Sequence, residues 1–587
     1  MMEIWITYTV IGFMFLFLIA NWYSAEVVIL SAVIILIWSG ILTIPEAFNG
    51  FINEGVLTIA SLFVIMNTLQ KHPAFIKITK IIFGNKQTLK SGLVRMMAVT
   101  GAFSSLMNNT PLVILLTPIV KKWSDKYNIY PSKLLIPLSY AAIIGGMCTL
   151  LGTSTNLVVH TLLQKEGYDG FSLFELSFIG IPFFVIALIY MITFGHKLLP
   201  ERVSIHMDDL QSTQFNVQAI VNDSFPWIGK SIEQAGLRHL KQSYVMAILR
   251  QGEFIFPVTP DQKICLNDHL LLVGDQLSAD ELKRFEGLSI QASNFEIGGQ
   301  GSEFKLLEAT IPLHSAFISL SIKEIGFRAK YGGVVVAVYR NGLRMNGKVG
   351  SIRLKAGDML YILTTKDTVQ YERLERNLLL LSTYTPEKEV KMRDWIPVIL
   401  FGLMISVVTF GLVQVAQAAI TTALLLLILR STTFNDAKDS IKWDVLFIIG
   451  GAFGIAEAMI KTGAAQYLSN VLLRSLDQLT PFFLLLLIYV ITNLLTELIT
   501  NNAAAVIMFP IAMSFVQELS LNPEPYAVAI AIAASASFST PIGYQTNLLV
   551  YSTGQYRFND FIKVGIPLNI LGLIISIMII PFVWPLN

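Results

Sequence analysis

Apolar residues fall along this chain in two blocks, with a stretch of different character between them. The first block holds apolar runs at 4–22, 26–44, 55–70, 92–120, 133–162 and 172–198. The second holds runs at 395–413, 416–430, 443–461, 481–517, 525–553 and 561–585. A helix needs roughly 20 apolar residues to cross a bilayer, so these runs predict membrane helices. Several are too long for one helix and are broken inside by polar residues, as at Asn108-Asn109-Thr110-Pro111 and Gly152-Thr153-Ser154-Thr155-Asn156. A break at membrane depth frees backbone groups, which persist only where protein or a water-filled cavity satisfies them. The stretch at about 201–392 is rich in Lys, Arg, Asp and Glu. Its runs Tyr244–Leu249 and Val334–Tyr339 predict strands. It reads as a soluble region inserted between membrane halves 1–200 and 393–587.

Composition supports that division. Hydrophobic residues make up 54% of the 587 and charged residues 14%, against about 25% charged in a soluble protein. The net charge of +2 argues against nucleic acid as a partner, because phosphate binding needs a basic surface. Cys148 and Cys265 lie far apart with no metal-ligand spacing and read as free thiols. Met1 opens a long apolar stretch without a small-residue cleavage site, which predicts a retained first span. The histidines form no metal pattern, and no nucleophile–base set or carboxylate pair stands in context. The chain does not read as an enzyme, and it carries no cofactor motif. Gly298-Gly299-Gln300-Gly301 lacks the strand and helix that a dinucleotide loop requires.

Two internal repeats organise the chain. Residues 231–275 align with 321–365 without a gap. Ser231, Gly236, Arg238, Arg250, Gly252, Asp268 and Leu270 meet Ser321, Gly326, Arg328, Arg340, Gly342, Asp358 and Leu360. The insert therefore holds two copies of one small α/β module, 201–295 and 296–392. In the membrane halves, Asn108–Pro111 is echoed by Thr500-Asn501-Asn502-Ala503, and Gly152–Asn156 by Gly543-Tyr-Gln-Thr-Asn547. The offsets are 392 (Asn109 to Asn501) and 391 (Gly152 to Gly543). Interrupted segments at matching places in two halves mark a transporter's binding site.

The breaks supply suitable chemistry. Unwound carbonyls, hydroxyls and amide oxygens ligate a sodium ion without adding full charges, and helix stubs add dipoles whose N-termini favour an anion. Gly152 and Gly543 are expected to allow backbone conformations that bulkier residues resist. Pro111 and Pro541 are expected to hold the breaks open by removing a donor. Glu497, beside the second break, reads equally as functional or structural. His160 reads as satisfied or interfacial, and Gly450-Gly451-Ala-Phe-Gly454 as close helix packing.

These residues resemble the divalent anion:sodium symporters over nearly all of both membrane blocks. That family carries a Ser-Asn-Thr signature at the tip of a re-entrant hairpin in each half, and a Gly/Ala-Thr-Pro-Pro-Asn-like break in a later helix. Here Asn108-Asn109-Thr110 and Thr500-Asn501-Asn502 are similar to the first, and Gly152–Asn156 and Gly543–Asn547 to the second. Gly50–Ala60 is similar to the family's early scaffold helix. The resemblance implies a polytopic α-helical membrane protein with an inverted repeat, working as a homodimer by an elevator motion. It implies one sodium at Ser104, Asn108, Asn109 and Gly152, and a second at Thr496, Asn501 and Gly543. The anion would sit at Asn109, Thr110, Asn501 and Asn502, with Thr155, Asn156, Thr546 and Asn547 lining the site. Location in the inner (plasma) membrane with 201–392 cytoplasmic is implied as well.

Asn108 stands where Ser is usual, and Asn502 where Thr is usual, followed by Ala503. These departures point away from dicarboxylates and toward a compact tetrahedral oxyanion that can use the Asn502 amide. Sulfate is therefore expected first, a dicarboxylate such as succinate second, and arsenite or proton-coupled exchange third. Each insert copy resembles the TrkA-C (RCK-C) module, which implies a small-molecule regulator or a dimerisation role. A regulated channel would need a Thr-Val-Gly-Tyr-Gly type filter, which the chain lacks.

Overall fold

A computed structural model describes the chain apart from residues 21–22, 53, 73–87, 203–216, 239, 241–242, 252, 275–281, 283–284, 293–303, 313–314, 341–342, 346–348, 366–373, 375–376, 382–390, 465 and 468–479. The 298–301 glycine cluster and the repeat positions Gly252 and Gly342 lie outside the described residues.

The first half folds into α1 (Met2–Ala20), α2 (Ala25–Trp38), α3 (Ile44–Phe48), α4 (Glu54–Lys71), α5 (Leu89–Ser104), α6 (Asn109–Lys126), α7 (Leu135–Met147), α8 (Ser154–Lys165) and α9 (Ser177–Tyr190). A π-helical turn, Met191–Gly195, extends α9. After the insert come α12 (Ile396–Thr409), α13 (Val415–Ile428), α14 (Phe434–Ser440), α15 (Trp443–Lys461), α16 (Pro481–Leu498), α17 (Asn501–Glu518), α18 (Pro523–Ser535), α19 (Gln545–Thr553) and α20 (Phe558–Val583). Among the described residues the two series therefore match element for element, α1 with α12 through α9 with α20. Among the described residues six helices are long and apolar enough to cross a membrane, and three shorter apolar helices accompany them. The longest apolar runs do not become single helices. Run 92–120 turns at 105–108, run 133–162 unwinds at 148–153, and run 525–553 unwinds at 536–544.

The helices pack as two bundles. In one, α2 and α3 lie on α15, and α4 lies on α13. In the other, α5 packs on α7, α16 on α18, α9 on α20, and α8 on α17 and α18. The bundles meet where α4 and α15 face α8 and α17. The Gly450–Gly454 run is a packing surface, as its sequence suggests. A methyl group at Gly450 would overlap the Phe51 ring, and one at Gly451 would lie 2.6 Å from Ile29.

The insert forms two five-stranded antiparallel sheets. The first comprises β1 (Val217–Val221), β2 (Ser243–Arg250), β3 (Glu253–Ile255), β4 (His269–Gly274) and β5 (Leu288–Ala292). The second comprises β6 (Phe304–Thr310), β7 (Val334–Arg340), β8 (Leu343–Arg344), β9 (Met359–Thr365) and β10 (Leu379–Leu380), with short helices α10 (Ile322–Ile325) and α11 (Phe327–Tyr331). The orders β3-β2-β4-β1-β5 and β10-β6-β9-β7-β8 are one topology read in opposite directions. Register slips at matched places, between Val245 and Ala247 and between Val335 and Ala337. Gly236 and Gly326 both hold positive φ, 74° and 65°, which explains the shared glycine. The paired Arg and Asp are also explained. Arg250 grips Asp268 through two 2.8 Å bonds, and Arg340 grips Asp358 through two of 2.7 Å. Both aspartates are fully buried and also accept a backbone N–H, from Cys265 and Lys355.

Candidate functional site

Each half brings a helix pair joined by a short turn against a later, unwound segment. In the first half the Ser104 hydroxyl, at the end of α5, lies 2.5 Å from Asn109 Oδ1 and 2.7 Å from the Ala142 carbonyl. In the second, the Thr496 hydroxyl lies 2.9 Å from Asn501 Oδ1 and 2.5 Å from the Ala534 carbonyl. Ser104 and Thr496 are fully buried. A hydroxyl carries one proton, so it serves one of its two acceptors at a time. Each trio is thus a cluster of neutral oxygens with more acceptors than donors.

The unwound segments are held by side chains, which answers the cost of freeing backbone groups. Asn156 donates its amide to the carbonyls of Thr149 (2.9 Å) and Gly146 (3.4 Å). Asn547 does the same to Ser537 (2.9 Å) and Thr540 (3.2 Å). The Gly152 and Gly543 N–H groups donate to the hydroxyls of Thr149 (3.2 Å) and Thr540 (3.1 Å). Those hydroxyls in turn donate to the carbonyls of Ser105 and Glu497 at the helix-pair turns.

The glycines and prolines work differently from the sequence expectation. Neither Gly152 nor Gly543 has positive φ. Each is needed for close approach, because a methyl group would overlap the Gly146 carbonyl or the Ser537 hydroxyl. Pro541 lies within the unwound 536–544 segment, but Pro111 sits in the first turn of α6. An N–H there would have no helical partner anyway, so Pro111 starts a helix rather than holding a break open.

The halves interlock at four helix N-termini. Asn109 donates to the Tyr544 hydroxyl (2.7 Å) and Thr110 to Gln545 Oε1 (3.3 Å), joining the starts of α6 and α19. Ser154 and Thr155 donate to Asn502 Oδ1 at 3.1 and 3.2 Å, joining the starts of α8 and α17. A methyl group at Gly146 would meet both Asn109 Oδ1 (2.7 Å) and Thr153 Cγ2 (2.8 Å), so the two junctions adjoin. Positive helix ends gathered among neutral donors form an anion-attracting surface.

Two asymmetries break the pattern. The Ser139 hydroxyl lies 2.8 Å from Thr546 Oγ1 and 2.7 Å from Asn547 Oδ1, whereas the matching position in the second half is Ala531. Asn156 Oδ1 is accordingly buried without a partner. Glu497 has Ser105 at its matching position. Its carboxylate accepts from the N–H groups of Phe538 (3.0 Å), Ser539 (2.8 Å) and Thr540 (3.0 Å), from the Ser537 hydroxyl and from Asn569. It pins the second unwound segment.

The structure brings Ser104, Asn109, Thr110, Gly152, Thr155 and Asn156 into contact networks with one another or with the other half, and likewise Thr496, Asn501, Asn502, Gly543, Thr546 and Asn547. Asn108 is the half-exposed residue preceding α6, and its side chain caps nothing. Sequence reasoning missed Thr149, Thr540, Ser139, Tyr544, Gln545 and the Ala142 and Ala534 carbonyls. The 391-residue repeat, which pairs Thr149 with Thr540, was a usable signal for two of them. His160 is satisfied as expected, accepting the Phe171 N–H at 2.8 Å.

A family model described as a citrate transporter, CitMHS, matches residues 15–533 and 501–585. The chain is 30% identical to the uncharacterized transporter sll0640 of Synechocystis, covering 100% of this chain and 98% of that protein. It is 28% identical to the uncharacterized transporter YfbS of Escherichia coli over 95% and 96% of the two chains. It is 23% identical to sodium/sulfate cotransporter 2 of Chlamydomonas reinhardtii over 96% and 87%.

Proposed function

This chain belongs to the CitMHS citrate-transporter family, a family of membrane transporters and not of enzymes, and from that premise we propose that it is a sodium-coupled symporter of a small divalent anion, sulfate ahead of dicarboxylates. The observation that carries this reading is the matched pair of oxygen trios, Ser104–Asn109–Ala142 and Thr496–Asn501–Ala534. In each, a cation at the centre satisfies the acceptor that a single hydroxyl proton leaves over. The four helix N-termini beside the trios favour the anion, and each bound ion offsets the charge of the other. Asn108, with no part in its trio, is the weakest of the proposed sodium ligands. The sodium and sulfate in the name of the Chlamydomonas relative support the choice of ions.

The two-bundle packing favours alternating access by an elevator motion. In this reading α5–α6 and α16–α17 are re-entrant hairpins entering from opposite faces, the mark of an inverted repeat. Lys121 on α6 meets Glu308 of the insert at 2.8 Å, while Gln517 on α17 meets Glu166, just beyond the far end of α8. The insert, as tandem TrkA-C modules on the cytoplasmic side of the plasma membrane, would regulate a homodimer.

The family description itself favours a second reading, a citrate- or succinate-type carboxylate carrier. Radiolabelled sulfate uptake into proteoliposomes separates the two. Sodium-driven uptake unaffected by cold succinate or citrate is expected, and Asn109→Ala and Asn501→Ala should each abolish it. Sodium-driven carboxylate uptake without sulfate uptake would overturn the cargo assignment.

A further inference from the structure

The two insert sheets are copies, and at three of the matched positions where they differ the second copy touches the membrane helices. Strand β6 alternates, with Leu307 and Ala309 in the sheet's own small core and Glu308 and Thr310 on the opposite face. Glu308 accepts from Lys121 Nζ on α6 at 2.8 Å. The buried Thr310 hydroxyl lies 2.9 Å from that of Ser552 on α19. Gly357, at the β-turn before β9, packs on α19 so closely that a methyl group would stand 3.0 Å from Leu548 and 3.7 Å from Tyr551. Ninety residues earlier the first copy carries Gln218, Ile220 and Asn267 at these places. Asn267 adopts a similar positive φ, 60° against 79°, so the turn itself does not demand glycine. A side chain at Gly357 would also press on Leu548 of α19.

The attachment points of the insert add a second observation. Where the chain enters the insert it is tied to the bundle of α7 and α20. The Ser132 hydroxyl donates to the Pro200 carbonyl at 2.7 Å, and Arg202 pairs with Asp560 at 2.9 Å. Where the chain leaves, it is tied to the other bundle. Asp394 lies 3.8 Å from His72 after α4, and Arg393 donates to the Leu429 carbonyl after α13 at 3.2 Å. The insert therefore bridges the two bundles while resting on the one that carries the site. Its resting place, α19, begins with Gln545, Thr546 and Asn547 of that site.

We propose, building on the sliding-bundle reading above, that the second insert module is a docked brake: seated on α6 and α19, it holds the site-bearing bundle in the position seen, and each transport cycle requires it to undock. If the bundle slides away from the insert, either the Lys121–Glu308, Thr310–Ser552 and Gly357–Leu548 contacts break, or the sheet is drawn toward hydrocarbon, where its edge groups go unsatisfied.

The test is a cross-link. Thr310→Cys with Ser552→Cys is oxidised in full-length protein, and the 310–552 link is confirmed by mass spectrometry before proteoliposome assay. Sulfate uptake is expected to be lost in linked protein and restored by reductant. Separately, Glu308→Lys is expected to raise the initial rate at least twofold, and Lys121→Glu added to it to return the rate to that of the parent. Linked protein that transports as fast as reduced protein, or a Glu308→Lys rate no higher than the parent's, overturns the brake. If unlinked protein moves no sulfate, the cargo assignment fails instead, and a cargo-free readout decides. Spin labels at the exposed Tyr168 and Leu412, one on each bundle, should report two distances in unlinked protein and one in linked protein. Identical distance distributions overturn the proposal.

Discussion

Asn547→Ala tests the idea that side-chain amides hold the unwound segments in shape. The substitution removes a donor from the carbonyls of Ser537 and Thr540, at 2.9 and 3.2 Å, and an acceptor from the Ser139 hydroxyl at 2.7 Å. A buried polar group left without a partner costs about 1–3 kcal/mol. Taken at the lower end of that range for each of the bonds lost, the cost is about 2–3 kcal/mol in all. At tenfold per ~1.4 kcal/mol this corresponds to about a 30- to 150-fold rise in local opening. Hydrogen exchange at the Phe538, Ser539, Thr540 and Gly543 amides reads that opening directly, since the first three are bonded to the Glu497 carboxylate and the last to the Thr540 hydroxyl. Asn156→Ala is the internal control. It removes two donors from Thr149 and Gly146, but its Oδ1 has no partner to lose. Its effect at 146–153 should be smaller by one hydrogen bond, about 1 kcal/mol or roughly fivefold. Unchanged exchange at 538–543 in a folded Asn547→Ala protein would refute the reasoning, as would an Asn156→Ala effect larger than that of Asn547→Ala.

Three further outcomes follow from the same geometry. Thr540→Val keeps the side-chain shape but removes the acceptor for the Gly543 N–H and the donor to the Glu497 carbonyl. Uptake should fall at least tenfold with the protein still folded, and near-parental uptake would show that the hydroxyl is dispensable. Glu497→Gln turns one acceptor oxygen into an N–H group facing donors. The second unwound segment should lose exchange protection while the first, matched to Ser105, keeps it. Arg340→Ala leaves Asp358 charged, buried and short of its bidentate partner, at a cost of about 3–5 kcal/mol. Limited proteolysis should then cut the second sheet at a much lower denaturant concentration than in the parent, with the first sheet unaffected. Equal resistance of both sheets would count against the pair.

What was legible from sequence had a local or periodic cause. Long apolar runs marked the membrane halves because a bilayer leaves little choice of residue at its core. Strands β2 and β7 followed from their strand-like runs, the insert repeat from an ungapped match at an offset of 90, and the membrane repeat from echoed polar breaks at offsets of 391 and 392. Asn109 and Asn501 were legible because polar residues inside such runs are costly and few, whereas Ser104 and Thr496 were picked out only by the family resemblance of the flanks. The oxygens that complete their trios were not. Ala142 and Ala534 contribute carbonyls, and a backbone oxygen leaves no trace in residue type. The roles of Gly152, Gly543 and Pro111 were misjudged for a related reason, since a glycine required by a neighbour's approach looks the same in sequence as one required by its own φ.

The sequence by itself determined that this chain is two related membrane halves with polar interruptions in register and a duplicated, charge-rich insert between them. Periodicity and repetition along one chain are enough for that. Only the tertiary structure decided that the starts of α6 and α19, and of α8 and α17, meet across the halves. Only it decided that Glu497 is spent on pinning one unwound segment, and that the second insert copy alone has the small turn and polar face that seat it on α19. Those are contacts between residues from about forty to more than four hundred positions apart. What sets them is the shape left over when helices pack, and no local pattern of residues encodes it.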